Sequence, residues 1–220
     1  MNVGARLMVI LATAFLAALA TPLIAAPSFL GYTGLVQVPT ADALGEDDYN
    51  LVIFTLNLEE GADSNIYAAN LGLAEGLEVG FARHSPEDAT GETFLNAKYT
   101  FSRETEANPA MAVGVMDLTD EVDTTVYVVL SKALERRYDT RYGEIGAPRL
   151  HFGVGGGQLD GVFGGLSAVL GDRLLLMAEY DGSDVNFGAR LAIGNNVRAH
   201  VGALDGLDDI GLGVSFNKTF

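Results

Sequence analysis

From residue 50 onward, apolar side chains recur at every second position in short runs, and each run ends in a cluster of Gly, Asp, Asn or Pro. A period of two is the signature of β-strands, whose successive side chains point to opposite faces. Twelve such runs are present, near 50–59, 65–74, 76–84, 92–102, 109–118, 123–132, 149–156, 161–170, 173–181, 185–193, 196–204 and 209–219. Their lengths match the roughly 9 to 11 tilted residues with which a barrel strand crosses a bilayer. An even count is what single-chain bacterial barrels require. The pattern predicts an all-β fold, a closed antiparallel up-and-down transmembrane barrel of about twelve strands.

Splitting each run by parity gives two chemically distinct registers. One holds Leu77, Val79 and Phe81 on the third run, Phe187, Ala189 and Leu191 on the tenth, and Ile210, Leu212, Val214 and Phe216 on the last. The other holds Glu78, Asn96, Lys98, Thr100, Ser131, Glu179, Asn186, Arg190, Arg198 and His200. In a bilayer the first register faces lipid, and the second lines the lumen. A water-soluble sandwich has the same parity turned inside out, so features outside the strands must decide between the two.

The start of the chain supplies one such feature. Arg6 precedes the apolar run Leu7–Ala20 and the small-residue stretch up to Ala26, the layout of a secretory signal peptide over residues 1–26, cleaved near Ala25 or Ala26. Pro22 interrupts the run and no cationic cluster follows, which counts against an uncleaved anchor. No later stretch reaches the ~18 apolar residues of a spanning helix. Integration of residues 49–220 into a membrane therefore needs closed β-structure, because hydrocarbon leaves unpaired backbone groups unsatisfied. The expected location is the outer membrane of a double-membrane bacterium.

The end of the chain supplies another. Residues 213–220 alternate and finish on Phe216 and Phe220, similar to the terminal signal by which outer-membrane barrels are handed to the barrel-assembly machinery, although Lys218 stands where an apolar residue is commoner. Tight connections at 74–76, 171–172 and 194–196 are the short periplasmic turns expected of such barrels. That places Glu59, Asp63, Glu87, Asp88, Asp120, Asp123, Asp160, Asp181, Asp184, Asp205 and Asp208 on the opposite, outer rim. Ordinary solvated turns, bridging to lipopolysaccharide phosphates through divalent cations, and selection for cations at the mouth all fit such a rim. The longest connection, 133–148, holds Arg136, Arg137 and Arg141 and would lie in the periplasm as a partner contact.

Composition narrows the chemistry. With 13 Lys and Arg against 29 Asp and Glu, a nucleic-acid partner is excluded for want of a basic surface. The absence of cysteine removes disulfide stapling and a lipid anchor on an N-terminal cysteine. No metal-ligand spacing or phosphate-cradling loop is present, and the Gly153–Gly157 run precedes a hairpin, so neither a metal nor another cofactor is expected. His84-Ser85 faintly resembles the His-x-Ser of the outer-membrane phospholipase, but adjacent strand residues face opposite ways and cannot share a proton. The chain reads as a non-enzyme, with no catalytic residues.

The lumen residues pair across the ladder. A hairpin centred near Asp88 sets Glu78 opposite Lys98, an opposite-charge pair of the stabilising kind, and one centred on Asn195 sets Arg190 opposite His200. An ion-paired filling and a charged pore lining both suit a barrel of intermediate girth.

Just after the leader stands Gly31-Tyr32-Thr33-Gly34-Leu35-Val36-Gln37-Val38-Pro39-Thr40-Ala41-Asp42-Ala43-Leu44. This resembles the G-x-T-G-L-x-x-x-P-T-A signature of the YjbH-like outer-membrane proteins, through Gly31, Thr33, Gly34, Leu35, Pro39, Thr40 and Ala41. The resemblance implies a link to exopolysaccharide production, in a short single-barrel version of a family whose larger members are several times longer. The implied role is a narrow conduit or scaffold, with outer-membrane lipid, polysaccharide and periplasmic export components as partners. A barrel enzyme acting on lipids and a structural or adhesive barrel with acidic loops are the alternatives. Residues 27–48 are expected either as a periplasmic plug or as a short extra strand.

Overall fold

The computed structural model describes residues 25–59, 63–134, 138–140, 143–159, 161–171 and 173–218. Residues 1–24 of the predicted leader, Arg136, Arg137, Arg141, Asp160 and Phe220 therefore lie outside the described residues.

Twelve strands close a barrel: β1 Tyr49–Asn57, β2 Ser64–Ala74, β3 Leu77–Pro86, β4 Glu92–Ser102, β5 Ala110–Met116, β6 Thr125–Ala133, β9 Arg149–Gly155, β10 Gly161–Leu170, β11 Leu174–Tyr180, β12 Val185–Ala192, β13 Val197–Leu204 and β14 Asp209–Lys218. Each pairs antiparallel with the next, and β1 closes the ring on β14 from Tyr49 opposite Lys218 to Asn57 opposite Ile210. Closure leaves no strand edge with unpaired backbone groups. The fold class is the one that the alternation predicts. One element departs from it: the long connection 133–148 carries a two-stranded hairpin, β7 Tyr138–Thr140 and β8 Gly143–Ile145, joined to β10 through Ile145 opposite Leu170. Strands of three residues are too short for a period of two to register.

The parity split holds along the strands. Phe187, Leu191 and Leu212 are 48%, 45% and 52% exposed, whereas Arg190 and Lys98 are 0% and 4% exposed. Ile53, Leu95, Phe101, Val126, Phe152 and Val214 join the exposed set, so a belt of large apolar side chains girdles the barrel. Water-soluble folds rarely expose contiguous apolar patches beyond a few hundred Å². Only an apolar solvent makes such a surface favourable.

The interior is solid because the chain before β1 fills it. Residues 25–48 enter at the end where β1 starts, fold up into the lumen and return to that end; they form two isolated bridges, Pro27 with Thr33 and Gly34 with Pro39, and no strand. The extra-strand expectation for this segment is thereby overturned. Its main chain bonds mainly to itself: Ser28 N donates to Tyr32 O, Phe29 N to Val36 O, Gly34 N to Ala26 O and Leu35 N to Val38 O. Gly31 turns at φ +96°, where a Cβ would also stand 2.5 Å from that of Ala82. At Gly34 a Cβ would meet Val38 O at 2.4 Å. Both positions demand glycine.

The six connections at the far end, after β1, β3, β5, β9, β11 and β13, contain carboxylates and neither Lys nor Arg. One of them is built around Asp117, which is 1% exposed. Its carboxylate accepts from the N–H groups of Glu121, Val122 and Asp123 at 3.1, 2.8 and 3.1 Å and from the Thr119 hydroxyl at 2.8 Å. Burial pushes this carboxyl up, but those donors outweigh it and hold it below the usual 3.8. A depressed folded-state value means stability that is present above the unfolded value and lost as pH falls through the folded one. The protection of the Val122 and Asp123 amides against hydrogen exchange, taken relative to the intrinsic rate at each pH, is expected to be high near neutrality and to fall as pH is taken down past 3.8; Asp117→Asn should abolish that pH dependence.

Candidate functional site

Of the predicted lumen residues, Glu78, Lys98, Glu179 and Arg190 bond to the plug instead of lining an open channel. Glu179, on β11, accepts the N–H groups of Val36 (2.9 Å), Gln37 (2.6 Å) and Val38 (3.3 Å), so one carboxylate holds three consecutive amides. Asn186 of β12, fully buried, donates to Glu179 at 3.3 Å and to Asp181 at 2.7 Å. Arg190 Nη2 donates to the carbonyls of Pro27, Gly34 and Leu35 at 3.0, 3.2 and 3.3 Å.

The facing wall repeats the scheme, with an acid on one strand and a base on the next. Glu78 and Lys98 stand opposite each other in the ladder, 3.9 Å apart at their charged atoms. Glu78 accepts from the Thr33 hydroxyl at 2.8 Å and from Leu44 N–H at 3.0 Å, while Lys98 donates to the Thr33 carbonyl at 3.1 Å, to the Asp42 carbonyl at 2.6 Å and to the Thr33 hydroxyl. Asn96 accepts from Asp117 N–H at 3.1 Å, tying wall to far-end loop. Arg198 donates to the carbonyls of Gly194, Asn195 and Val197 and so braces its own turn.

The signature residues are distributed accordingly. Thr33 takes the polar centre, and the buried Leu35 packs where a Cβ on Gly165 would touch it. Pro39 closes the second bridge, Ala41 N–H donates to Ser131 at 2.9 Å, and Thr40 is buried with no partner for its hydroxyl among the described residues. Apolar wall residues complete the fit: Phe29 lies on Phe54, 4.4 Å between ring centres, above Gly202 and Gly211. Several contributors were not singled out in the sequence: Asn70, which donates to the Gly31 carbonyl at 2.7 Å, and the set Asp42, Glu104 and Arg149, where Arg149 bonds both carboxylates at 2.9 Å. Parity alone places Asn70 in the lumen. The second set joins residues 107 apart, and no local pattern could have shown it.

The histidines are placed against catalysis. His84 packs edge-on to Phe94, 4.7 Å between ring centres, with Ser85 on the other face. At His200 the Nδ1 atom accepts from Arg190 Nε at 3.3 Å, so Nε2 carries the proton and donates to Ser215 at 2.8 Å, and the ring cannot take a proton from that serine. Ser131 lies 2.8 Å from His151 Nδ1 and accepts Ala41 N–H, but this pair is sealed beneath the plug, 0% and 4% exposed. Phe216, the described part of the predicted assembly signal, faces outward at 38% exposure.

At the entry end, below the plug, a vestibule of about 440 Å³ remains. Its roof is the descending limb of the plug, Ala41–Gly45, and its walls include Thr100, Arg103, Glu104, Arg149 and Asn217. Burial pushes the Asp42 carboxyl up, against the pull of Arg149 and Lys98.

Such a ring closed around a filled centre is comparable with solved barrels. The KdgM porin superposes with a TM-score of 0.55 at 10% identity, over 78% of this chain and 99% of that one. The fold is that of a porin barrel. A second structure, the KdgM porin in complex with disordered oligogalacturonate, gives a TM-score of 0.51 at 10% identity over the same shares. No family model matches the chain, and no curated protein matches it in sequence.

Proposed function

We propose that the chain is a non-enzymatic outer-membrane barrel that serves as a closed scaffold in the production or export of surface exopolysaccharide, with its plug entering from the periplasm. The observation that carries this reading is the pairing of an apolar exterior with a lumen occupied by the chain's own residues 25–48. Of the conduit and the scaffold, the packing favours the scaffold. Emptying the lumen would wet Phe54, Ile66, Val129, Phe163 and Leu175, all now fully buried, at about 1.5–3 kcal/mol each. The polysaccharide link rests on the signature around Gly31–Ala41, and it agrees with a barrel of the same fold having been captured with an acidic oligosaccharide.

Fractionation of the native host combined with deletion of the gene tests the reading. The chain is expected in the outer membrane, migrating faster on a denaturing gel when unheated, and its loss should lower cell-surface polysaccharide until a plasmid copy restores it. Recovery of the chain as a soluble periplasmic protein, or an unchanged polysaccharide yield in the deletion strain, would contradict it.

A further inference from the structure

A closed lumen leaves the ends of the barrel as the surfaces where a ligand can be met, and the entry-end vestibule is a built cavity. Its volume of about 440 Å³ lies inside the ~300–1,000 Å³ range of small-molecule sites. Small residues, Ala41, Ala43, Gly76 and Ala110, make the space by leaving it unfilled.

The charges around it are balanced: Asp42, Asp48 and Glu104 face Arg103, Arg149 and Lys218. Arg149 is already shared between Asp42 and Glu104 at 2.9 Å each, so an incoming anion would meet three carboxylates and an incoming cation three positive groups. A ligand whose every polar group both donates and accepts escapes that conflict. Alanine side chains and the Leu44 of the roof meanwhile offer an apolar surface of the kind that the C–H face of a pyranose covers.

We infer that the vestibule formed by Ala41–Gly45, Thr100, Arg149 and Asn217 binds a short uncharged oligosaccharide. The inference deepens the scaffold reading and rests on it for the identity of the natural ligand, since it makes the plug's descending limb the place where the glycan is held on the periplasmic side.

Saturation-transfer NMR on the full chain folded in detergent tests it, with maltohexaose and cellohexaose as neutral probes and hexagalacturonate as the acidic one. Saturation transfer to a neutral probe is expected, with at least a tenfold weaker affinity in Ala43→Trp, whose side chain fills the cavity. Ala43→Leu serves if the larger residue disturbs folding, as judged by heat-modifiable migration. Absence of transfer to both neutral probes, transfer to the acidic probe alone, or unchanged affinity in a folded filled variant would overturn the inference. Binding that persists while gene deletion leaves polysaccharide untouched would sink the scaffold reading and leave the site standing; the reverse result would do the opposite.

Discussion

Deletion of residues 27–44 is expected to cost the barrel most of its thermal resistance, or to prevent recovery of the folded form altogether. In ordinary narrow barrels the strands' own side chains fill the middle. Here many inward positions are small or polar, and the plug supplies Phe29, Tyr32, Leu35, Val36 and Val38, all buried. The wall left behind would present Phe54, Ile66, Val129, Phe163 and Leu175 to water, a loss on the order of 10 kcal/mol of burial at the usual rate per side chain. Buried carboxylates and cations on the wall would lose their main-chain partners as well. The measurement is the temperature at which the fast-migrating folded band disappears on a denaturing gel. Retention of the full-length midpoint by the deletion variant would show that the segment is not part of the core.

The second large effect is expected at one carboxylate. Glu179→Ala strands the N–H groups of Val36, Gln37 and Val38 in a dry interior, and an unsatisfied buried donor costs ~1–3 kcal/mol, so a loss of roughly 3–5 kcal/mol follows if the three do not all find water. Glu179→Gln keeps one acceptor oxygen and the side-chain shape, and should lose about a third as much by the same rule. Equilibrium unfolding in detergent with increasing urea separates the two variants. Equal midpoints for the alanine variant and the parent would mean that the plug amides are held by something else.

The barrel was legible in the sequence because a lipid-facing strand must obey a rule at every second residue, and Gly and Asp at the turns mark where the rule stops. Glu78 with Lys98 and Arg190 with His200 follow from hairpin centres and simple counting. The plug was only half legible. Gly31 and Gly34 announce tight turns, but a segment held by two isolated bridges and by side chains from distant strands has no period to read. What Glu179 grips, or that Arg149 ties Asp42 to Glu104, depends on closure of the whole ring. The hairpin of β7 and β8 escaped for a plainer reason: three residues do not make a pattern. Four of the lumen charges, Glu78, Lys98, Glu179 and Arg190, which suited a pore lining or an ion-paired filling equally, serve neither purpose alone, since they bond to the main chain of the plug.

The most direct measurement is solute uptake by liposomes carrying the full chain, with insertion verified by flotation. A barrel whose middle is occupied by residues 25–48 should leave the vesicles as tight to arabinose as protein-free ones. Rapid swelling of the arabinose-loaded suspension at ordinary protein-to-lipid ratios would mean an open path through the centre and would contradict the filled lumen.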